Sequence, residues 1–173
     1  ETTGLNPQKD FITEIAACRF IKGEIQDQYT TLINPGISVP KNIVEITGIT
    51  DDMLVDAPLI EDVLPELIKF IDHSPLVGHN IDFDYMFINK SCTRIDISLP
   101  EVAMYDTLSL ARTFIYYYNS FSLTSLCDYY NISIDNAHRA GADALATGIL
   151  FRYLLQEAVS CPLLLIQQLD NIL

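Results

Sequence analysis

Pro75-Leu76-Val77-Gly78-His79-Asn80-Ile81-Asp82-Phe83-Asp84 is the stretch on which the fold turns. A short apolar run stops at Gly78, polar residues turn the chain, and an aromatic–acid pair opens a helical pattern. The reading is a strand at Leu76-Val77 and a helix from Phe83 to about Ile95. Asp84 then stands on the first turn of a helix, at the carboxyl end of a strand, where open α/β sheets bind ligands. Acid-bearing stretches lie on either side of it, Glu1-Thr2-Thr3-Gly4-Leu5 and His138-Arg139-Ala140-Gly141-Ala142-Asp143.

Toward the amino end, Glu1 to Asp10 reads as a turn broken by Gly4 and Pro7. Phe11–Lys22 reads as a buried strand. Lys22-Gly23-Glu24 is the hairpin turn into a second strand, Ile25–Ile33, which Asn34-Pro35-Gly36 ends. A helical turn is expected at Lys41–Ile46, and Thr50 is the expected N-cap of Asp51-Asp52-Met53-Leu54. Ile60, Val63, Leu64, Leu67, Ile68 and Ile71 repeat at helical spacing and predict an amphipathic helix over Leu59–Asp72. Pro65 must kink that helix or mark a later start.

Toward the carboxyl end, Val102–Tyr105 is a short strand and Asp106-Thr107 opens a helix through Ile115. Ser122 caps a helix to Tyr130. The longest helix runs from Gly141 to about Val159, and Ser160 caps a last one with Pro162 in its first turn. Two antiparallel strands followed by strand–helix units predict an α/β domain with a mixed sheet flanked by helices. A strand leading into Glu1 is missing from the pattern, which would leave backbone groups unpaired across the sheet. Residues upstream of Glu1 are therefore expected, the more so because the chain opens on Glu rather than Met.

With 173 residues, 49% of them hydrophobic, the chain holds one ordinary domain with a sizeable core. No apolar run approaches the ~20 residues of a membrane span, and the polar, acidic start is not a signal peptide. The four cysteines, Cys18, Cys92, Cys127 and Cys161, are scattered and read as small buried hydrophobes in a reducing cytoplasm. A formal charge of −13 argues against a protein that grips long stretches of nucleic acid. It leaves room for an enzyme that holds one or two terminal nucleotides through bound cations.

Carboxylates gathered at strand ends and helix starts repel one another and stay ionised together only with cations among them. Hard oxygen donors suit Mg²⁺ or Mn²⁺ rather than zinc. A pair of such ions can activate a water and stabilise a leaving oxygen in phosphodiester hydrolysis. Glu1, Asp84 and Asp143 are only three acids among 23, so spacing alone does not single them out.

The motifs do. Glu1-Thr2-Thr3-Gly4-Leu5 resembles the latter part of the first motif of the DEDD (DnaQ-like) 3′→5′ exonucleases, D-x-E-T-T-G-L. His79-Asn80-Ile81-Asp82-Phe83-Asp84 is similar to their second motif, H-N-x-x-F-D. His138 and Asp143 resemble the third motif of the histidine subclass (DEDDh), H-x-x-x-x-D. Ile46-Thr47-Gly48-Ile49-Thr50-Asp51 and Asp106-Thr107-Leu108-Ser109-Leu110-Ala111-Arg112 also look like segments of this family. The likeness covers almost the whole chain, in the family's order. One departure matters: the family's first acid belongs two positions ahead of Glu1.

This resemblance implies a ribonuclease H-like, five-stranded mixed sheet with helices on both faces. Residues 1–159 would form the exonuclease domain, and 160–173 a C-terminal helix or a connection to a following domain. It also implies that Glu1, Asp84 and Asp143 ligate two Mg²⁺ or Mn²⁺ ions, and that His138 takes a proton from the attacking water. Thr2, Thr3, Gly4, Leu5, Thr47 and Gly48 would meet the terminal nucleotide, and Asn80 and Phe83 would meet it or shape the strand-end turn. The implied activity is removal of 3′-terminal nucleotides from single-stranded or frayed DNA as nucleoside monophosphates. The Thr-Thr-Gly-Leu and Thr-Gly-Ile-Thr segments look most like bacterial proofreading-type members. An exoribonuclease and a catalytically inactive binding module are the alternatives. A polymerase or helicase subunit or fused domain is the expected partner and the cytoplasm the expected location. The negative charge predicts slow, distributive action on DNA.

Several residues carry two readings. Asp82 is an exposed N-cap or a rival to Asp84, and His79 satisfies backbone groups or meets substrate. His73 is a solvated helix-end residue. Asp106 caps its helix or supports the ligands from behind. Tyr116-Tyr117-Tyr118 pack, or stack on single-stranded bases.

Overall fold

The computed structural model describes residues 1–133 and 139–161. Lys22 and Gly23, with φ of 55° and 82°, make the tight turn between β1 (Glu14–Ile21) and β2 (Glu24–Leu32). Positive φ at both positions matches the right-handed twist of the strands, and the pair is antiparallel. α1 (Lys41–Thr47) and α2 (Asp51–Leu54) follow, then α3 (Ile60–Ile71), β3 (Leu76–Gly78) and α4 (Ile81–Arg94). β4 (Met104–Asp106) lies parallel to β3 and runs directly into α5 (Thr107–Phe114). α6 (Leu123–Tyr129) and the 21-residue α7 (Ala140–Ser160) complete the described chain.

Helices cover both faces of the strands, as expected. Ile12, Ile15 and Ile33 pack with Leu64, Leu67 and Phe87 of α3 and α4. α7 crosses β1 and β3 on the other face and joins α5 and α6 in a second core around Ala111, Leu126, Leu150 and Leu154. A small third core, Val39, Ile49 and Leu54, sits under α1 and α2.

The five-stranded sheet is not what the described residues form. Their four named strands make two separate pairs, β1–β2 and β3–β4. Between the facing edges of β1 and β3 lies a cavity of about 920 Å³, lined by Ile15 to Cys18 on one side and Leu76 to Gly78 on the other.

Local details differ from the expectations at several points. β1 begins at Glu14 rather than Phe11, because Phe11–Thr13 pair with the opening segment: Thr3 N–H donates to the Phe11 carbonyl, and Thr13 N–H to that of Glu1. α3 spans the expected helix with Pro65 inside it, so of the two readings of that proline the later start does not hold. The ring removes only the bond to the Glu61 carbonyl, and both residues are exposed, so water can satisfy that oxygen. Thr50 holds the cap position of α2, but its side chain makes no capping bond, and Asp51 instead accepts the Val39 amide at 2.7 Å. Ser160 is the last residue of α7, its hydroxyl donating to the Gln156 carbonyl, and the last helix expected after it lies outside the described residues. Pro162 to Leu173 lie outside the described residues. All four cysteines are free; Cys92 and Cys127 are buried, Cys18 and Cys161 half-buried.

Candidate active site

Each acid-bearing stretch reaches the cavity on a different element. β3 ends at Gly78, where a Cβ would stand 2.7 Å from the Cβ of Ile81, so the bare glycine lets strand and helix meet closely. Asn80 then takes the left-handed conformation at φ 64°, a region that asparagine enters more readily than most residues. It occupies the cap position of α4 expected for Asp82, which lies exposed in the helix's first turn. Asp84 follows in that same turn.

Asp106 locks the geometry from behind. Its carboxylate accepts the Asn80 amide at 2.7 Å, the Leu108 and Ser109 amides at 3.1 and 3.2 Å, and the Ser109 hydroxyl at 2.7 Å. It therefore caps α5 and fixes the turn before α4. Burial alone would raise its pKa, and these bonds outweigh that and hold it below its ordinary value. His79 is committed inward, with Nδ1 2.9 Å from the Thr107 hydroxyl and Nε2 2.9 Å from the Phe121 carbonyl. A carbonyl only accepts, so Nε2 carries the hydrogen. Burial keeps this ring's pKa below that of a free imidazole. Of its two readings, these contacts favour the internal one.

Glu1 is held through its backbone by β1. Its amino group donates to the Glu14 carbonyl at 2.7 Å, and its own carbonyl accepts Thr13 N–H at 2.8 Å and Glu14 N–H at 3.3 Å. Asp143 sits in the first turn of α7, its amide donating to the Arg139 carbonyl.

Glu1, Thr2, Asn80, Phe83, Asp84 and Asp143 all line the one cavity. Thr3 is buried, with its hydroxyl accepting the Phe11 amide, and Gly4 is half-buried beside Asp10. Leu5 projects into solvent, 81% exposed. Thr47 and Gly48 do not line the cavity; Thr47 is buried at the end of α1, and Gly48 is the exposed left-handed residue after it. His138 lies outside the described residues. Tyr118 packs against the second core, while Tyr116 and Tyr117 are exposed. His73 is exposed at the end of α3.

The chemistry of the donors fits a hard divalent cation. Asp84 faces the cavity, where water reaches it, yet protein crowds its other sides, and this burial pushes its pKa from 3.8 up to about 6. The amino-terminal charge and a backbone amide pull it down, and the Glu1 carboxylate pushes it up, so the two acids feel one another across the cavity. Among the described residues no three His, Cys, Asp or Glu side chains converge tightly enough to form a finished ligand cluster. What they provide is mutually repelling oxygen donors that a cation would draw together.

One residue that carries this geometry is absent from the sequence reading. Glu14 is 2% exposed, and its carboxylate accepts Arg139 Nη2 at 2.7 Å, Arg139 Nε at 3.1 and 3.2 Å, and the Ala140 amide at 3.0 Å. An ionisable side chain inside the apolar run Phe11–Lys22 was the available signal, since a buried acid needs a partner.

A family model described as exonuclease matches residues 1–151. The chain belongs to the exonuclease family. It is 39% identical over 159 residues to the PolC-type DNA polymerase III of Oceanobacillus iheyensis, covering 92% of this chain and 11% of the relative. Its identity to the Staphylococcus aureus PolC-type enzyme is 38% over 157 residues, with 91% and 11% covered. The chain thus spans about a tenth of the length of these curated relatives. Among solved structures, exonuclease X in complex with 5′-overhanging duplex DNA superposes with a TM-score of 0.72 at 27% identity, covering 90% of this chain and 87% of that one. The nuclease domain of 3′hExo, a DEDDh family member bound to rAMP, gives 0.75 at 20% identity, covering 91% and 88%. The expectation of a DnaQ-like 3′→5′ exonuclease of ribonuclease H-like fold is borne out at the level of family, fold and enzyme class. No helix among the described residues is long and apolar enough to cross a membrane.

Proposed function

We propose that this exonuclease domain removes the 3′-terminal nucleotide of single-stranded or frayed DNA, releasing nucleoside monophosphates, as the proofreading part of a replicative polymerase. The observation that supports the reading is that Glu1, Asp84 and Asp143, carried on three separate stretches of the chain, all line one cavity. These three acids would hold two Mg²⁺ or Mn²⁺ ions. When bound, such ions lower the pKa of a water and stabilise the charge on a leaving oxygen.

The chain's own groups do the rest. His138 accepts the proton of the attacking water, for which an imidazole near neutrality is suited. Thr2, Asn80 and Phe83 line the cavity beside the acids and meet the terminal nucleotide. DNA is favoured as substrate by the polymerase relatives and by the DNA-bound exonuclease X neighbour, and a cytoplasmic setting accords with them. The rAMP-bound neighbour keeps an exoribonuclease as the second reading. At −13 net charge the domain is repelled by DNA beyond the Debye length, so it acts distributively, and the fused or bound polymerase supplies processivity.

The five-stranded sheet is part of the same reading. Glu1 already pairs in both directions with Glu14, on the edge of β1 away from β2. A strand running into Glu1 would continue that pairing along β1 and fill only the part of the cavity between β1 and β3, leaving open the end that Glu1, Asp84 and Asp143 line. It would bring the family's first acid to the same end as Asp84.

End-labelled DNA and RNA oligomers, incubated with Mn²⁺ and with a chelator, test the proposal. The expected result is metal-dependent release of 3′ mononucleotides, faster from DNA and abolished by Asp84→Ala. Release from the 5′ end, or equal release in the chelator, would overturn it.

A further inference from the structure

We infer that Glu14 is a positioning residue that sets the separation of the carboxylates on either side of the cavity. The inference rests on the three-acid site proposed above and deepens it. Glu14 is the physical joint between two of the acid-bearing segments. Through its backbone it accepts from the Glu1 amino group at 2.7 Å and donates to the Glu1 carbonyl at 3.3 Å. Through its side chain it grips Arg139 and the Ala140 amide, the first residues of α7. Asp143 is one turn further on, its amide bonded to the carbonyl of that same Arg139. A shift of Glu14 therefore moves Glu1 and Asp143 relative to each other.

Glu14 does not act as a further ligand. Both carboxylate oxygens are engaged, one by Nη2 and Nε of Arg139 and the other by Nε and the Ala140 amide. Burial on its own would raise the Glu14 pKa; the hydrogen bonds and charge of Arg139, with the Ala140 amide, reverse that and hold the group ionised. The pair spans 125 residues of sequence, so it ties the first motif to the third with no help from chain connectivity. A charged pair is suited to this task because breaking it leaves an uncompensated buried ion.

The test uses the domain with the strand proposed above to run into Glu1 present, and Mn²⁺ as the probe. Glu14→Gln keeps the side-chain size and an oxygen for Ala140 N–H while removing the charge that holds Arg139. Groups that orient metal ligands without touching the ion typically cost about 10- to 100-fold in metal affinity when altered. Mn²⁺ binding by titration calorimetry, without nucleic acid, is expected to weaken about tenfold in E14Q. Mononucleotide release at saturating Mn²⁺ should recover to within about threefold of the original chain. Arg139→Lys approaches the pair from its half-exposed end, so it remains informative if E14Q does not fold; it should shift Mn²⁺ affinity the same way, by less. Unchanged Mn²⁺ affinity in a folded E14Q, or in R139K where E14Q does not fold, overturns the inference. If that happens while Asp84→Asn abolishes binding, the three-acid site stands and only the role of Glu14 falls. If the original chain binds no Mn²⁺, both fall.

Discussion

Asp84→Asn tests the site without any assay of hydrolysis. Burial raises the Asp84 pKa from 3.8 to about 6, so ionising this group opposes folding. An acid whose folded pKa lies above its unfolded one gives its full stability below the unfolded value and loses it as pH climbs through the folded one. The window is therefore from 3.8 to about 6. At about 1.4 kcal/mol per pH unit, the whole rise corresponds to ~3 kcal/mol. Asp84 is exposed to water within the cavity, and screening reduces that figure; about 1.5 kcal/mol is the expected remainder. Denaturant unfolding of the metal-free chain should show D84N more stable than the original by about 1.5 kcal/mol near pH 7.5, with most of the gap gone by about pH 4. Millimolar Mn²⁺ should reverse the order, because it binds the native site only where all the acids are present. A D84N chain no more stable than the original at pH 7.5 would show that the carboxyl is not held against its charge, and the reasoning would fail.

Asp106→Ala removes four bonds onto one carboxylate and should cost about 2 kcal/mol in denaturant unfolding near neutral pH. Its pKa is held below 3.8, so the loss relative to the original chain should shrink as pH falls below that value. Gly148→Ala puts a Cβ 2.1 Å from the Phe20 ring and should cost about 1–2 kcal/mol, recovered in part by Phe20→Leu; an unchanged melting temperature would contradict this. Arg94 donates to the Pro7 carbonyl at 2.9 Å and lies 4.6 Å over the Phe11 ring, so Arg94→Ala should expose the Glu1–Phe11 segment to faster proteolytic cleavage. His138→Ala should slow mononucleotide release by roughly 10²–10⁴-fold while leaving Mn²⁺ binding intact.

The legible parts of this molecule are those set by neighbours in sequence. Lys22-Gly23 announces its turn because both residues need positive φ, and α3 follows from apolar side chains that recur on one face. The second motif likewise places Asp84 on the first turn of a helix. What stayed hidden depends on partners far along the chain. Nothing near Glu14 tells that Arg139 will meet it, and nothing near Asn80 tells that Asp106 will hold its amide. The start of β1 is illegible for the same reason: Phe11–Thr13 look like strand but pair with Glu1–Thr3 instead of β2. Pairing order, unlike periodicity, is not written locally.

Glu14, Asp106 and Asp84 differ in the sign of their pKa shift, and the sign has a structural cause. Glu14 and Asp106 are half-buried or deeper, yet both lie below their ordinary values, because amides, a hydroxyl or a guanidinium already satisfy their oxygens. Asp84 is raised, because it accepts too little from the protein to offset burial and faces another acid. The first pair therefore has no capacity left for a cation and serves to hold backbone in place. Asp84 is strained when alone and relaxed by a positive charge, which is the condition expected of a ligand rather than a brace. Exchanging the two kinds of residue for amides should accordingly have opposite effects on the metal-free fold: Asp84→Asn strengthens it, whereas Glu14→Gln and Asp106→Asn weaken it.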